Sequence, residues 1–118
     1  MEIGVGLPTN LRGTNKDLVL AWAQRAEAAG FASVCMGERL SFDGYDWVVA
    51  LTAAAAVTSR IRLLSNVVTL PIHPIGTVAK QTLSLDDFSG GRLSFGVGLG
   101  TPLDDYDVAP SPRAGRVQ

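Results

Sequence analysis

The segment from Ile61 to Pro74 constrains the fold more than any other part of the chain. Its centre, 63–70, is a short run of apolar and β-branched residues closed by a proline, which predicts a buried parallel strand covered on both faces. Ser65 and Asn66 interrupt this run. Because a buried polar group without a partner costs about 1–3 kcal/mol, their polar atoms must bond to backbone, water or a ligand. The end of this strand is therefore the first candidate for a functional site, while bonding of Asn66 to neighbouring backbone alone stays open.

Strand and helix patterns alternate along the chain up to Gly100. The predicted strands cover residues 3–7, 32–37, 61–70 and 92–99, and the predicted helices cover 14–29, 47–58 and 74–89. This alternation predicts an α/β fold with a parallel sheet and right-handed crossovers. The segment 101–118 carries three prolines and no periodicity, so a loop is predicted there.

The first and last strands show whether this sheet is open or closed. In each of them bulky side chains alternate with glycine, so one face carries almost no side chains. In an open sheet with helices on both sides, the strands would carry bulky side chains on both faces. In a barrel that holds a planar group, the inward face of the strands would carry few bulky side chains. A complete (β/α)8 barrel takes about 250 residues, so the chain predicts a half-barrel, the N-terminal part of a TIM barrel, over 1–118.

Composition and charge exclude several classes of function. The net charge of −1 gives no basic stripe for nucleic acid, and 47% hydrophobic with 18% charged residues is typical of a globular domain. Neither a secretory leader nor a membrane-spanning run is visible, which predicts a cytoplasmic protein without a membrane partner. The single cysteine, Cys35, permits no internal disulfide, and its apolar neighbours Val34 and Met36 predict a buried thiol. One histidine with one cysteine offers no metal cluster.

Six segments in order resemble the luciferase-like monooxygenase and deazaflavin-dependent oxidoreductase superfamily. They are IGVGLP, AEAAGFASVCMGERL, YDWVVALTAAAAVTSRIRL, SNVVTLPIHP, AKQTLSLDDFSGGRL and FGVGLG. The resemblance implies a (β/α)8 barrel and a flavin (FMN) or coenzyme F420 cofactor whose ring lies at the carboxyl ends of the strands. Active sites at that face are the rule for this fold.

The resemblance also implies the candidate catalytic residues. Many members carry an Asp-His pair at the end of the second strand, and the matching positions here are Glu38 and Arg39. Glu38 is then a candidate proton shuttle, and Arg39 a candidate to hold an anionic substrate or a cofactor oxygen, with a solvated surface pair as the alternative. His73 matches a residue beside the start of the third helix, where both a structural cap and a catalytic role are open.

Four further positions are implied to contact the cofactor. The Asn66–Val67 bond matches a cis peptide that forms a bulge behind the ring, and Thr69 matches a contact to its polar edge. Gly98 leaves room for the ring or for the barrel core. A rival interpretation takes 96–100 as part of a dinucleotide-binding loop. That motif requires G-x-G-x-x-G opening a helix with an acid about 20 residues further on, which this chain does not supply.

The sequence therefore predicts a flavin- or deazaflavin-dependent oxidoreductase that transfers a hydride or oxygen to a small organic substrate. The alternative of a different class is a truncated, non-catalytic half-barrel or assembly module that binds no cofactor. If the strand order follows the chain, the two edges of a four-stranded sheet are Ile3–Leu7 and Leu93–Leu99, and neither carries the lysines or inward charges that protect an edge. A homodimer or association with a missing C-terminal half is therefore expected.

Overall fold

A computed structural model describes residues 1–100 and 103–109 of the chain. Its described part holds one parallel sheet whose strands lie in the order β1, β2, β3, β4. The elements are β1 (Gly4–Gly6), α1 (Lys16–Ala28), β2 (Ser33–Met36), α2 (Trp47–Val57), β3 (Arg62–Thr69), a 3-10 turn (Leu70–Ile72), α3 (Ile75–Ser89), β4 (Leu93–Gly98) and α4 (Leu103–Val108). The predicted α/β class with a parallel sheet is confirmed, and its strands follow the order of the chain.

The hydrophobic core lies between the sheet and the helices. Alternate residues of the two central strands point into it, since Val34, Leu63 and Val68 are fully buried against the apolar residues of α2. On the opposite face of the sheet, Gly6 and Asn66 are exposed. One covered face and one glycine-rich face agree with part of a barrel wall.

The alternation of bulky residues with glycine in β4 predicts that Leu93, Phe95 and Val97 face the helices, and the structure follows this prediction only in part. Leu93 and Phe95 pack against the core, and the ring of Phe95 lies 5.6 Å from that of Trp47 on α2. Val97, expected on the same helix-facing side, is 50% exposed. A bulge in β3 shifts the register between Ser65 and Val68, so the two ends of β4 do not meet the same neighbours.

Local signals account for most helix ends. Asp46 caps α2 as its position predicts, since its carboxylate accepts the N–H of Val48 at 2.8 Å. The helix α1 begins later than the predicted residue 14, because Asn15 is its cap and the Asn15 side chain accepts the Leu18 N–H at 3.0 Å. The predicted start of α3 is also one residue early, since Pro74 is the N-cap and not the first helical residue.

The prediction of a loop over 101–118 is wrong for 103–108, which form α4. Two acids in the first turn favour a helix there, because negative charge stabilises a helix N-terminus. Residues 101, 102 and 110–118 lie outside the described residues. Within the described part, no helix has the length and apolar character needed to cross a membrane.

Candidate functional site

A cleft of about 580 Å³ lies at the carboxyl ends of the strands. A second cleft of about 410 Å³ adjoins it and shares Asn10, Gly37 and Asn66 with it. Volumes of several hundred Å³ are typical of small-molecule sites. The first cleft is lined by all of the residues singled out from the sequence as catalytic or cofactor-binding, namely Glu38, Arg39, Asn66, Val67, Thr69 and Gly98.

The floor of the cleft is the bulge in β3. The peptide bond between Asn66 and Val67 is cis, as the resemblance implies. Ser65 lies under the bulge and bridges to β4, where its hydroxyl donates to the Gly96 carbonyl at 3.0 Å and accepts the Gly96 N–H at 2.9 Å. The Asn66 side chain is exposed and has no hydrogen bond within the described residues. The alternative in which Asn66 bonds only to neighbouring backbone is therefore wrong, and its amide is available to a ligand.

Glycines of β4 are required by this bulge. A Cβ at Gly96 would overlap the Ser65 carbonyl oxygen, and one at Gly98 would lie 2.8 Å from a methyl group of Val67. From the sequence these glycines were expected to leave room for a ring or for the barrel core. The structure adds a nearer reason, since they let the bulged backbone of β3 lie close to β4.

Glu38 is buried at the end of β2 and is tied to the segment that follows β3. Its Oε2 accepts the Thr69 N–H at 2.8 Å, and its Oε1 lies 2.7 Å from Nε2 of His73. The Glu38 backbone N–H also donates to the Val67 carbonyl at 3.2 Å. The alternative of a solvated surface pair with Arg39 does not fit Glu38, whose side chain is 5% exposed. Sequence reasoning missed this pairing with His73, because 35 residues separate the two side chains along the chain.

Arg39 points away from Glu38 towards α4. Its Nη2 lies 2.8 Å from Asp104 and its Nε 3.1 Å from Asp105, and its guanidinium stacks at 3.7 Å on the ring of Phe42. The Ser41 hydroxyl and the Arg39 charge hold the pKa of Asp104 below its usual value. An anionic substrate or cofactor oxygen would have to compete with both carboxylates for Arg39. These acids were missed because the segment that holds them was predicted as a loop.

Cys35 faces the second cleft from β2. It is partly buried, and this burial raises the pKa of its thiol. A raised pKa leaves little thiolate at neutral pH, which agrees with an inert thiol. Among the described residues, no group of three or more histidine, cysteine, aspartate or glutamate side chains is placed to hold a metal ion.

Comparison with known proteins supports the resemblance seen in the sequence. A family model described as luciferase-like monooxygenase matches residues 1–118. The chain is 38% identical over 95 residues to limonene 1,2-monooxygenase of Rhodococcus erythropolis, which covers 77% of this chain and 24% of that protein. It spans between 22% and 40% of the length of the curated relatives that it matches.

Two solved structures carry the same arrangement of strands and helices. One is the FMN complex of the oxygenating constituent of 3,6-diketocamphane monooxygenase from Pseudomonas putida, with a TM-score of 0.86 and 23% identity over 98% of this chain and 34% of that chain. The other is the coenzyme F420 dependent tetrahydromethanopterin reductase of Methanopyrus kandleri, with a TM-score of 0.72 and 28% identity over 85% of this chain and 27% of that chain.

Proposed function

Because this chain belongs to the luciferase-like monooxygenase family, we propose that it supplies a cofactor-binding wall of a flavin- or deazaflavin-dependent oxidoreductase. The cofactor is FMN or coenzyme F420, and the substrate is a small organic molecule. The observation that carries the proposal is the convergence of all the candidate residues on one cleft at the carboxyl ends of the strands.

The residues of the cleft fit a planar group with a polar edge. The face of the sheet beside it carries little side-chain bulk, since a Cβ added at Gly6, which lines the adjoining second cleft, would meet no heavy atom within 4 Å. The Asn66 amide carries both donors and an acceptor that no described residue occupies. Val67 is partly exposed beside it and offers an apolar surface for a ring. A ring that has an apolar face and hydrogen-bonding edges matches this combination.

When bound, FMN or coenzyme F420 supplies a ring that accepts or donates a hydride, and reduced FMN also reacts with molecular oxygen. The chain's own residues would hold that ring. Asn66 would offer it hydrogen bonds, Val67 would offer it an apolar surface, and the carboxylate of Glu38 would hold or move a proton at the wall of the cleft. Thr69 fixes that carboxylate through its backbone N–H.

The direct test is to titrate the purified chain with FMN and with coenzyme F420 and to follow cofactor fluorescence and visible absorption. One of the two is expected to bind with a saturable change. Asn66→Ala should weaken that binding about tenfold, as expected for the loss of a hydrogen bond to a polar ligand. Gln24→Ala is the matched control, because Gln24 is an exposed amide on α1 that lines neither cleft.

If neither cofactor binds, the proposal fails and the non-catalytic half-barrel or assembly module takes its place. If both variants bind like the wild type, the cleft is not the binding site. A turnover assay is then informative only for the cofactor that binds.

We also propose a partner for the edges of the sheet. In the described part, β1 and β4 each have a neighbour on one side only. A second copy of the chain or the C-terminal half of a barrel would pair with these edges. Light scattering at tens of micromolar checks the first possibility, and a monodisperse, cooperatively unfolding monomer would contradict the need for either partner.

A further inference from the structure

The pairing of Glu38 with His73 assigns a role to the chain's single histidine. Both oxygens of the Glu38 carboxylate are engaged, Oε2 by the Thr69 N–H and Oε1 by Nε2 of His73. The two partners lie four residues apart on either side of the 3-10 turn Leu70–Ile72. One carboxylate thus holds both ends of this turn.

Backbone contacts prepare the position of the His73 ring. The His73 N–H donates to the Leu70 carbonyl at 3.2 Å, which closes the turn and fixes the point where the side chain leaves the backbone. The His73 side chain is 19% exposed and that of Glu38 is 5% exposed, so the histidine lies on the solvent side of the pair. Glu38 lines the cleft, whereas His73 does not. The carboxylate therefore lies at the wall of the cleft and is held there by a largely buried histidine.

Loss of the imidazole would leave one oxygen of a buried carboxylate without a partner among the described residues. Such an oxygen is costly to leave unsatisfied, and the side chain would rotate towards the water of the cleft. That rotation would also weaken the bond to the Thr69 N–H, because both bonds depend on one carboxylate plane.

We infer that His73 is a positioning residue, which holds the Glu38 carboxylate at the wall of the cleft in the orientation that Thr69 also requires. This inference deepens the proposed function and rests on it, since Glu38 acts there on a bound ring or substrate. His73 itself does not line the cleft and acts through Glu38.

The test uses the full chain, with the backbone amide of Thr69 as the reporter in two-dimensional NMR. In the wild type this amide proton should resonate downfield, as expected for donation to a carboxylate. In Glu38→Ala the downfield shift should be lost, which assigns it to this bond. In His73→Ala it should move upfield, and in His73→Gln it should return towards the wild-type position, because glutamine offers an N–H donor of similar reach.

The histidine ring provides an independent signal. His73 is the only histidine, so its ring resonances need no further assignment. Its Nε2-bound proton should be visible and protected from exchange in the wild type, and it should disappear in Glu38→Ala. Lys80→Ala, at an exposed position on α3, is the control that should alter neither signal.

Cofactor titration separates this inference from the proposed function. His73→Ala is expected to weaken binding of the cofactor about tenfold and His73→Gln less than twofold, because a displaced Glu38 carboxylate would lose one charge-assisted hydrogen bond to the ring. An unchanged Thr69 amide in His73→Ala would overturn the positioning role, even if the wild type binds cofactor. Failure of the wild type to bind either cofactor would overturn the proposed function, while the NMR signals would still decide the role of His73.

Discussion

Gly96→Ala tests the contact between the bulge of β3 and its neighbouring strand. An added Cβ would overlap the Ser65 carbonyl oxygen and would lie 3.4 Å from Cγ1 of Val67. Because the overlapping atom belongs to the backbone, no side-chain rotation relieves it, and the two strands must separate. Gly6→Ala is the matched control, since Gly6 lies in a strand of the same sheet and a Cβ there would meet nothing within 4 Å.

The expected loss of unfolding free energy in Gly96→Ala has two contributions. Inserting a methyl group into a packed region costs about 1–3 kcal/mol. Separation of the strands also strains the two hydrogen bonds between the Ser65 hydroxyl and Gly96, each of which contributes about 1 kcal/mol. Gly96→Ala should therefore lower the free energy of unfolding by about 3 kcal/mol or more. Gly6→Ala should leave it unchanged or raise it by up to about 1 kcal/mol, because alanine reduces the entropy of the unfolded chain.

Urea unfolding measures both variants. Trp47 is buried against Phe95, the residue before Gly96, so tryptophan fluorescence reports on this part of the core. Circular dichroism should give the same midpoint if unfolding is two-state. A Gly96→Ala variant within about 0.5 kcal/mol of the wild type, or a Gly6→Ala variant that loses as much stability, would refute the reasoning.

Three further predictions concern groups outside the bulge. Glu27→Gln should lower the free energy of unfolding by about 1–2 kcal/mol at pH 7, because the carboxylate accepts the backbone N–H groups of 59–61. Desolvation by burial raises the pKa of Glu27, but these hydrogen bonds outweigh it and lower the pKa from 4.5 to about 2. The stabilisation by Glu27 is then complete above about pH 4.5 and is lost as the pH falls towards 2. The urea midpoints of wild type and variant should therefore converge over that range. A constant difference between the midpoints would contradict the role given to the Glu27 carboxylate. Thr82→Val should raise the free energy of unfolding by up to about 1 kcal/mol in the same assay, because Oγ1 of Thr82 is buried without a hydrogen-bond partner among the described residues. A destabilised variant would indicate that this oxygen has a partner. Asp105→Ala should increase hydrogen exchange in α4 strongly, because Asp105 is 1% exposed and accepts hydrogen bonds from Arg39 and Ser41. Asp104→Ala should increase it only slightly, because Asp104 is exposed. Equal exchange in the two variants would show that the contacts of Asp105 do not hold α4.

Features that depend on neighbouring residues could be predicted from the sequence. The cap of α2 at Asp46 and the left-handed Gly90 at the end of α3 follow from short-range hydrogen bonding and from glycine's access to positive φ. The parallel order of the strands follows from their alternation with helices. The start of α1 is an exception, because a helix was predicted from residue 14 and the structure has Asn15 as its cap.

The partners of the site residues could not be predicted in this way. The resemblance implies that Glu38 and Asn66 lie near a ring at the carboxyl ends of the strands, and because parallel strands share that edge, both residues line one cleft. It does not show that the Glu38 carboxylate meets His73, or that Arg39 turns to the acids of α4. Their catalytic and cofactor-binding roles stay predictions.

One physical cause separates the features that could be predicted from the sequence from those that could not. Strand and helix periodicity, the cap of α2 and most of the buried faces arise from interactions over a few residues, and the sequence by itself determined them. The bridge from Ser65 to Gly96 joins residues 31 apart, and the pair of Arg39 with Asp105 joins residues 66 apart. Such contacts depend on the register at the β3 bulge and on how the segments after each strand pack together, and only the tertiary structure decided them.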